Sequence, residues 1–415
     1  MLTPLERDPY DIPSPVSGSS LFTTDSPASM EDRESNKWAL RDPCTAIVLK
    51  ISQELAVCDP ISDVHTPATQ AWRPYDLKVE KFACLKDNWR PLLPSLDHGS
   101  SLSKDLPDAH VRNILTYESS DEPRDQTTQE FLGRLWRTGP PYGSITAKRA
   151  HHRVSADLIG HSLSKFQSSR QIMQVIYDAY LAHKDAFRIC GILHRDISVV
   201  NILISLNGTG ILSDWDMAHQ VSGPSPRHLG RTGTWFFMSI KLLKDPTSIY
   251  ILQDDLESFC YVVIYLALRY LPHNRVSVLP AIMANVFEHQ YIVPTGVLGG
   301  GGKASMVHAR GYIGEDLEFT DHKPLTAWID TALTIIEDWS TSTRKWRRSK
   351  LMGLGNADGL ELKLKDQAMY DHQGLDENFQ TALAKKWPEN DKGMDQLPPK
   401  GKNSYNGQTK TWFKL

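Results

Sequence analysis

Asp196 and Asn201 stand five residues apart in the run His194-Arg195-Asp196-Ile197-Ser198-Val199-Val200-Asn201, and Asp214 follows Asp196 by eighteen residues in Leu212-Ser213-Asp214-Trp215-Asp216. No other feature restricts the fold as much, because the flanks dictate a scaffold around these three polar residues. Upstream, Ile172, Val175, Ile176, Ala179 and Ala182 recur on one face of a helix predicted from an N-cap at Ser169 to about Cys190, with Gly191 as its stop. Downstream, two short apolar strands, Asn201 to Ser205 and Gly210 to Ser213, flank Asn207-Gly208, a hairpin turn signal. Asp196 is thereby expected in a loop held between a helix and a hairpin, with Asp214 where the second strand ends. Loops held by rigid elements are where reactive side chains concentrate.

The residue types point to a chemistry. Asn201 and Asp214 offer hard oxygen ligands suited to Mg²⁺. Asp196 can accept a hydrogen bond from an attacking hydroxyl and take its proton late. Phosphoryl transfer asks for this equipment, since positioning and charge neutralisation carry most of it. Asp and Asn are also common loop formers. The joint spacing, the helix–loop–hairpin context and the second acidic motif lift the set above that reading.

Bulk properties narrow the remaining classes. The chain has 415 residues, enough for two or three compact units or one two-lobed domain with tails. A formal net charge of -3 argues against bulk attraction to nucleic acid or an anionic membrane. Five cysteines lie far apart without a C-x-x-C pair, as in reduced intracellular thiols. The first residues lack a basic segment followed by an apolar core, so no secretory signal is read there. Phe259 to Leu268, the longest apolar run, is about half of a membrane span and reads as a buried core helix. An intracellular protein, cytoplasmic or nuclear, is expected.

Residues 1–36, rich in Ser, Pro, Thr and Asp, are expected to be disordered. Residues 37–160 carry weak strands at Ala46 to Leu49 and Phe82 to Leu85, a polar insertion at about 119–150, and a strand at Arg153 to Ile159. Residues 161–340 hold the polar constellation, a helix from Asp255 to about Leu271 and helical patterns near 326–338, whereas 341–415 read as a polar, partly basic tail. Gly296 to Ala304 evokes a phosphate-binding loop but has Val297 and Ala304 at required positions, so a flexible loop is expected. The basic run Arg344 to Lys350 is read as solvated surface.

The segments HSLSKFQSSRQIMQVIYDAYLAHKDAFRICGILHRDISVVN, SDWDMAH, RTGTWFFMSIKLL and DDLESFCYVVIYLAL resemble the fungal-type protein kinase family, most closely over residues 151–271. The resemblance implies an α+β, two-lobed protein-kinase-like fold, with a small β-rich N-lobe, degenerate here, and a larger helical C-lobe. It implies an ATP- and Mg²⁺-dependent transfer of the γ-phosphoryl group to Ser or Thr hydroxyls of protein substrates. Asp196 would be the catalytic base, Asn201 and Asp214 the metal and nucleotide ligands, and Lys86 the lysine that anchors the ATP phosphates. Thr234 would hydrogen-bond Asp196, ahead of a strip to Ser239 that receives the peptide. Phosphorylation at Ser222, Ser225 or Thr232 would order that segment through a basic residue such as Arg195.

The pattern departs from the family in places. No G-x-G-x-x-G precedes Lys86, and no Glu lies between Glu80 and Glu118 to pair with it. Ser198 replaces a lysine that meets the γ-phosphate in many such enzymes, Asp214-Trp215-Asp216 replaces D-F-G, and Ser239-Ile240-Lys241 replaces A-P-E, removing a buried Glu–Arg pair. Two alternatives stay open: an inactive pseudokinase scaffold that binds partner proteins, and a small-molecule phosphotransferase of the aminoglycoside- or choline-kinase type. The retained Asp196, Asn201 and Asp214 oppose the first, and the strip Gly233 to Ser239 opposes the second.

Overall fold

Strands come first along the chain. The computed structural model describes residues 69–72, 75–76, 81–82, 84–91, 106–115, 117–121, 149–156, 160–221, 233–294, 296–353 and 357–397, the strands before residue 157 by their backbone. They are β1 (Thr69–Trp72), β2 (Tyr75–Asp76), β3 (Lys81–Phe82), β4 (Cys84–Pro91), β5 (Tyr117–Asp121) and β6 (Arg149–Ala156). β2 pairs with β3, and the other four form an antiparallel sheet in the order β1-β4-β6-β5. Strand thus extends to both edges of the expected polar insertion, whose residues 122–148 lie outside the described residues. So do residues 1–68, including the expected tail and the strand at Ala46 to Leu49. Leu106 to Asp108 are helical.

From residue 160 the predicted scaffold is present. After β7 (Gly160–Ser162) comes the helix α1 (Ser169–Cys190), followed by β8 (Ile192–Leu193), β9 (Ile202–Ser205), β10 (Gly210–Leu212) and β11 (His219–Gln220). The N-cap of α1 is Ser168 rather than Ser169: Ser168 Oγ accepts from the Gln171 amide at 3.2 Å, while Gly191 closes the helix in the left-handed region. β9 and β10 pair antiparallel, with β7 on the outer side of β9. α1 lies so close to β10 that a Cβ at Gly210 would sit 1.9 Å from the Val175 carbonyl oxygen. Only glycine allows that approach, and it sets the distance between the helix and the hairpin.

Helices build the rest: α2 (Ile240–Lys244), α3 (Leu252–Tyr270), α4 (Leu279–Ile282), the hairpin β12 (Gln290–Val293) and β13 (Gly296–Gly299), then α5 (Gly301–Ala309), α6 (Lys323–Leu351), α7 (Ala357–Leu364) and α8 (Gln373–Leu383). α3 starts three residues before Asp255, because Asp254 Oδ2 accepts the Ile251 amide at 2.8 Å and caps the first turn. The helix is apolar on nearly every side and buried, with Phe259 to Ile264 at 0% exposure, so it forms the centre of the core rather than a surface stripe. Among the described residues no helix is long and apolar enough to cross a membrane.

Two expectations are corrected. Residues 341–397 do not trail away as a tail. α6 continues to Leu351, and Met369, Leu375, Phe379, Ala382 and Trp387 are buried in the same core. Their apolar residues are spaced too widely among charges for periodicity to show, and the packing surface comes from α1 and α6. The glycine run near residue 300 is not a flexible loop either: it forms a tight strand–turn–helix junction, with Lys303 fully buried in α5.

Candidate active site

A single buried carboxylate holds the loop that carries Asp196. Asp255, at the start of α3, accepts the His194 amide at 3.0 Å, the Arg195 amide at 3.0 Å, the Tyr250 hydroxyl at 2.7 Å and His183 Nε2 at 2.9 Å. Burial pushes its pKa up, but the hydrogen bond from His183 and the neighbouring imidazoles outweigh it and hold the carboxyl below the usual range. His183 in turn meets His372 Nε2 through Nδ1 at 2.9 Å. A chain of hydrogen bonds therefore runs from residue 372 through α1 and α3 to the loop backbone. Burial, with the charges of His183 and Lys184, drives His372 down to about 2 and keeps it neutral.

His194 faces the other way. Its Nε2 lies 2.9 Å from the Ser213 carbonyl, which can only accept, and its Nδ1 accepts the Asp196 amide at 3.3 Å. These partners fix the neutral Nε2–H tautomer, and burial lowers the ring's pKa in the same sense. Trp215 stands edge-on to the ring at 4.6 Å. The Asp196 loop and the Asp214 loop are therefore locked together.

Asp196 Oδ1 accepts two bonds from Thr234, the backbone amide at 2.8 Å and the hydroxyl at 2.7 Å. Gly233 makes this approach possible: its φ is 112°, and a Cβ there would lie 2.8 Å from the Arg195 carbonyl. Asn201 Nδ2 donates to the Asp196 carbonyl at 2.7 Å, which commits the amide nitrogen and leaves the amide oxygen as its ligand end. Ser213, one residue before Asp214, bonds twice to the Asn201 carbonyl, through N at 2.8 Å and Oγ at 3.0 Å. Asp214 itself adopts the left-handed region at φ 64°, a conformation that non-glycine residues hold at a cost of about 1 kcal/mol or more and that concentrates at functional sites. The structure thus brings Asp196, Thr234, Asn201 and Asp214 into one cluster.

Lys86 lies in the interior of the four-stranded sheet, its backbone paired with Ala71 on β1 and Val154 on β6. Its side chain, like Ser222, Ser225 and Thr232, lies outside the described residues. Arg195 is buried against the Tyr250 ring at 5.3 Å, and its Nε and Nη1 meet no acceptor among the described residues. Ser198 is buried as well.

Sequence reasoning missed two groups. Asp255 and His183 carry the loop, and their one signal was acidic Asp254, Asp255 and Glu257 at the head of an otherwise apolar run. The second group stands where the Glu–Arg pair was judged lost. An ion pair of opposite sense is present, Lys241 to Asp254 at 2.7 Å, with Ser239 Oγ donating to Asp254 at 2.6 Å. Beside it Glu257 accepts the Ile240 amide at 2.7 Å and the Tyr261 hydroxyl at 2.6 Å. Buried Lys303 donates to the Met238 carbonyl at 2.6 Å and lies over the Tyr261 ring. Burial raises the Glu257 pKa and lowers that of Lys303, each opposed by the other's charge. The segment from Thr234 to Lys241 is thus bolted to α3 and α5.

Residues 68–267 match the family model described as "Fungal protein kinase". A stretch of 88 residues is 31% identical to the serine/threonine-protein kinase PLK4 of Nematostella vectensis, covering 21% of this chain and 8% of that protein. The chain therefore aligns with under a tenth of that relative's length.

Proposed function

The chain belongs, through residues 68–267, to the fungal protein kinase family, and on that premise we propose that it is an ATP- and Mg²⁺-dependent protein kinase acting on Ser or Thr hydroxyls. The observation that carries this reading is the pair of bonds from Thr234 to Asp196 Oδ1, which brings the strip from Gly233 to Ser239 against the reactive carboxylate. A small-molecule phosphotransferase has no need of that juxtaposition. In this reading residues 37–160 form the smaller lobe and 161 onward the larger one.

The donor set fits the metal. A carboxylate on Asp214 and an amide oxygen on Asn201, oriented by its committed nitrogen, are the hard, sparse ligands expected for Mg²⁺ carried in with phosphates. Bound Mg²⁺ would neutralise charge on the phosphate oxygens. Asp196, its orientation fixed by Thr234, accepts the hydrogen bond of the acceptor hydroxyl, directs its lone pair at the γ-phosphorus and takes its proton as the new P–O bond forms and the bond from the γ-phosphorus to the bridging oxygen breaks, releasing ADP. Lys86 on β4 would be the residue that anchors the ATP phosphates.

The test is transfer of labelled γ-phosphate from Mg-ATP to generic protein substrates. Asp196→Asn is expected to lower kcat by about 10²- to 10⁴-fold with folding unchanged. A thermal-shift titration runs beside it, since Mg-ATP should stabilise the chain in proportion to ln(1 + [L]/Kd). A wild-type chain that neither shifts with Mg-ATP nor transfers phosphate sinks the proposal, and transfer to metabolites but to no protein replaces its substrate class.

A further inference from the structure

Six exposed cations, Lys244, Arg344, Lys345, Arg347, Arg348 and Lys350, have no carboxylate within ion-pair distance among the described residues. Five of them fall within seven residues of sequence, in a chain whose net charge is -3. A local excess of positive charge, with Asp245, Glu337 and Glu361 as nearby carboxylates, therefore works against the molecule's overall sign.

The cations converge from two elements. Lys244 ends α2, and the other five occupy the last turns of α6. Both Lys244 and Arg344 depress the imidazole of His308 on α5, after the larger effects of its burial and of Glu337, so they flank the same ring. His308 also lies 3.3 Å from Ser340 and 4.0 Å from Glu337 on α6, which sets α5 against that helix, and Asp245, the residue that follows Lys244 and caps α2, feels the positive charge of Arg347. Residues 344–350 span about 9 Å along their helix. That is close to the Debye length of about 8 Å at physiological salt, so a bound anion feels the cations jointly.

The position of the patch decides its partner. α2 begins immediately after Ser239, where the strip from Thr234 ends. Five helical residues carry the chain about 8 Å from Ser239 to Lys244. A peptide lying on the strip with its acceptor hydroxyl at Asp196 therefore has flanking residues within reach of the patch. Nucleic acid is the less suitable occupant. Trp346, the one aromatic among these cations, is not a stacking platform, because its Nε1 bonds Glu361 at 3.2 Å and Lys350 covers its ring at 5.0 Å.

We propose that the cations of α6 and Lys244 form a docking surface for an acidic protein segment contiguous with the phosphoacceptor, making this a kinase for substrates with acidic flanks. The substrate class rests on the protein-kinase reading above; the surface itself does not. The experiment measures both separately on the full chain. A labelled acceptor peptide with a central Ser and a run of Asp and Glu on either side is titrated by fluorescence anisotropy without nucleotide. A matched peptide carrying Asn and Gln is the control. The proteins are wild type and Arg344→Gln/Arg347→Gln/Arg348→Gln.

The acidic peptide should bind wild type, with Kd rising about tenfold in the triple variant, as expected for the loss of three surface pairs. Raising salt from about 50 to about 300 mM should erode the same difference. The variant's melting temperature should stay unchanged, since the substitutions are exposed. In phosphate transfer the variant should raise KM for the acidic peptide alone and keep kcat. Equal Kd for wild type and variant overturns the surface, as does an RNA oligomer that binds more tightly than the acidic peptide. Peptide binding that depends on the three arginines, without any phosphate transfer, keeps the surface and removes the kinase reading.

Discussion

Lowering the pH should loosen the grip on the Asp196 loop from its far end, at His372. This imidazole is buried, 3% exposed, and held at about 2 against 6.5 in an unfolded chain. From about pH 6.5 downward the unfolded chain binds a proton that the folded chain excludes, so stability rises with pH across that window and is lost as pH falls. The loss tends to about 1.4 kcal/mol per pH unit, which makes about 2 kcal/mol between pH 7 and pH 5 from this one group. Set against a typical total of about 5–15 kcal/mol, that is a large fraction. Glu257, raised to about 7, contributes in the opposite sense over part of the same range. His372→Gln isolates the imidazole, because the amide can still hydrogen-bond His183 Nδ1, through its nitrogen or its oxygen, but does not titrate. Urea titrations of both proteins, followed by tryptophan fluorescence and extrapolated linearly, give stability at each pH. Wild type should lose about 2 kcal/mol more than the variant between pH 7 and pH 5. If the two profiles run parallel within about 0.5 kcal/mol, His372 is not held neutral by its surroundings and the reasoning fails.

Other outcomes follow from the same contacts. Lys303→Met leaves the Met238 carbonyl without its donor and removes the charge that opposes the desolvation of Glu257, and should cost about 2–3 kcal/mol in urea titration, whereas Lys303→Met/Glu257→Gln should recover part of it. A single variant within about 1 kcal/mol of wild type would show that the pair carries little. Gly210→Ala drives a Cβ into the Val175 carbonyl and should lose at least about 2 kcal/mol, read as a fall in Tm; an unchanged Tm would mean that α1 moves away freely. Thr234→Val removes the hydroxyl bond to Asp196 but keeps the amide bond, so kcat should fall about tenfold with KM for ATP unchanged. Unaltered kcat would leave Thr234 without a positioning role.

The parts of this protein that a reader of the sequence can find are those built by local rules. α1, its glycine stop and the β9–β10 hairpin obey periodicity and turn chemistry, and their boundaries fall within a residue or so of the expected ones. Asp196, Asn201, Asp214 and Thr234 were legible because each has a fixed spacing to the next. Asp255, His183 and Lys303 were not, because their roles depend on partners 60 to 65 residues or more away that only packing supplies. Lys303 is the clearest instance. In the sequence it closes a failed phosphate loop, and in the fold it is a buried cation holding a carbonyl of the segment after Thr234. The helices beyond residue 341 were hidden for a related reason, since their few apolar residues are arranged for a surface that α1 and α6 present.

That last feature bears on what counts as the smallest piece of this chain able to stand as a protein. Phe379 stacks on Tyr177 at 5.3 Å and meets Trp328 at 4.7 Å, and Asp376 takes the Tyr177 hydroxyl at 2.7 Å. A fragment cut at residue 267, where the family match stops, would keep every residue of the proposed chemistry yet bare the flank of α1 to water. It would also lose the imidazole at the end of the hydrogen-bond chain to the loop. Loss of the segment from residue 357 to 397 is therefore a lesion of folding, not the trimming of an ornament. Recombinant work on residues 68–267 has to carry the chain to about residue 397.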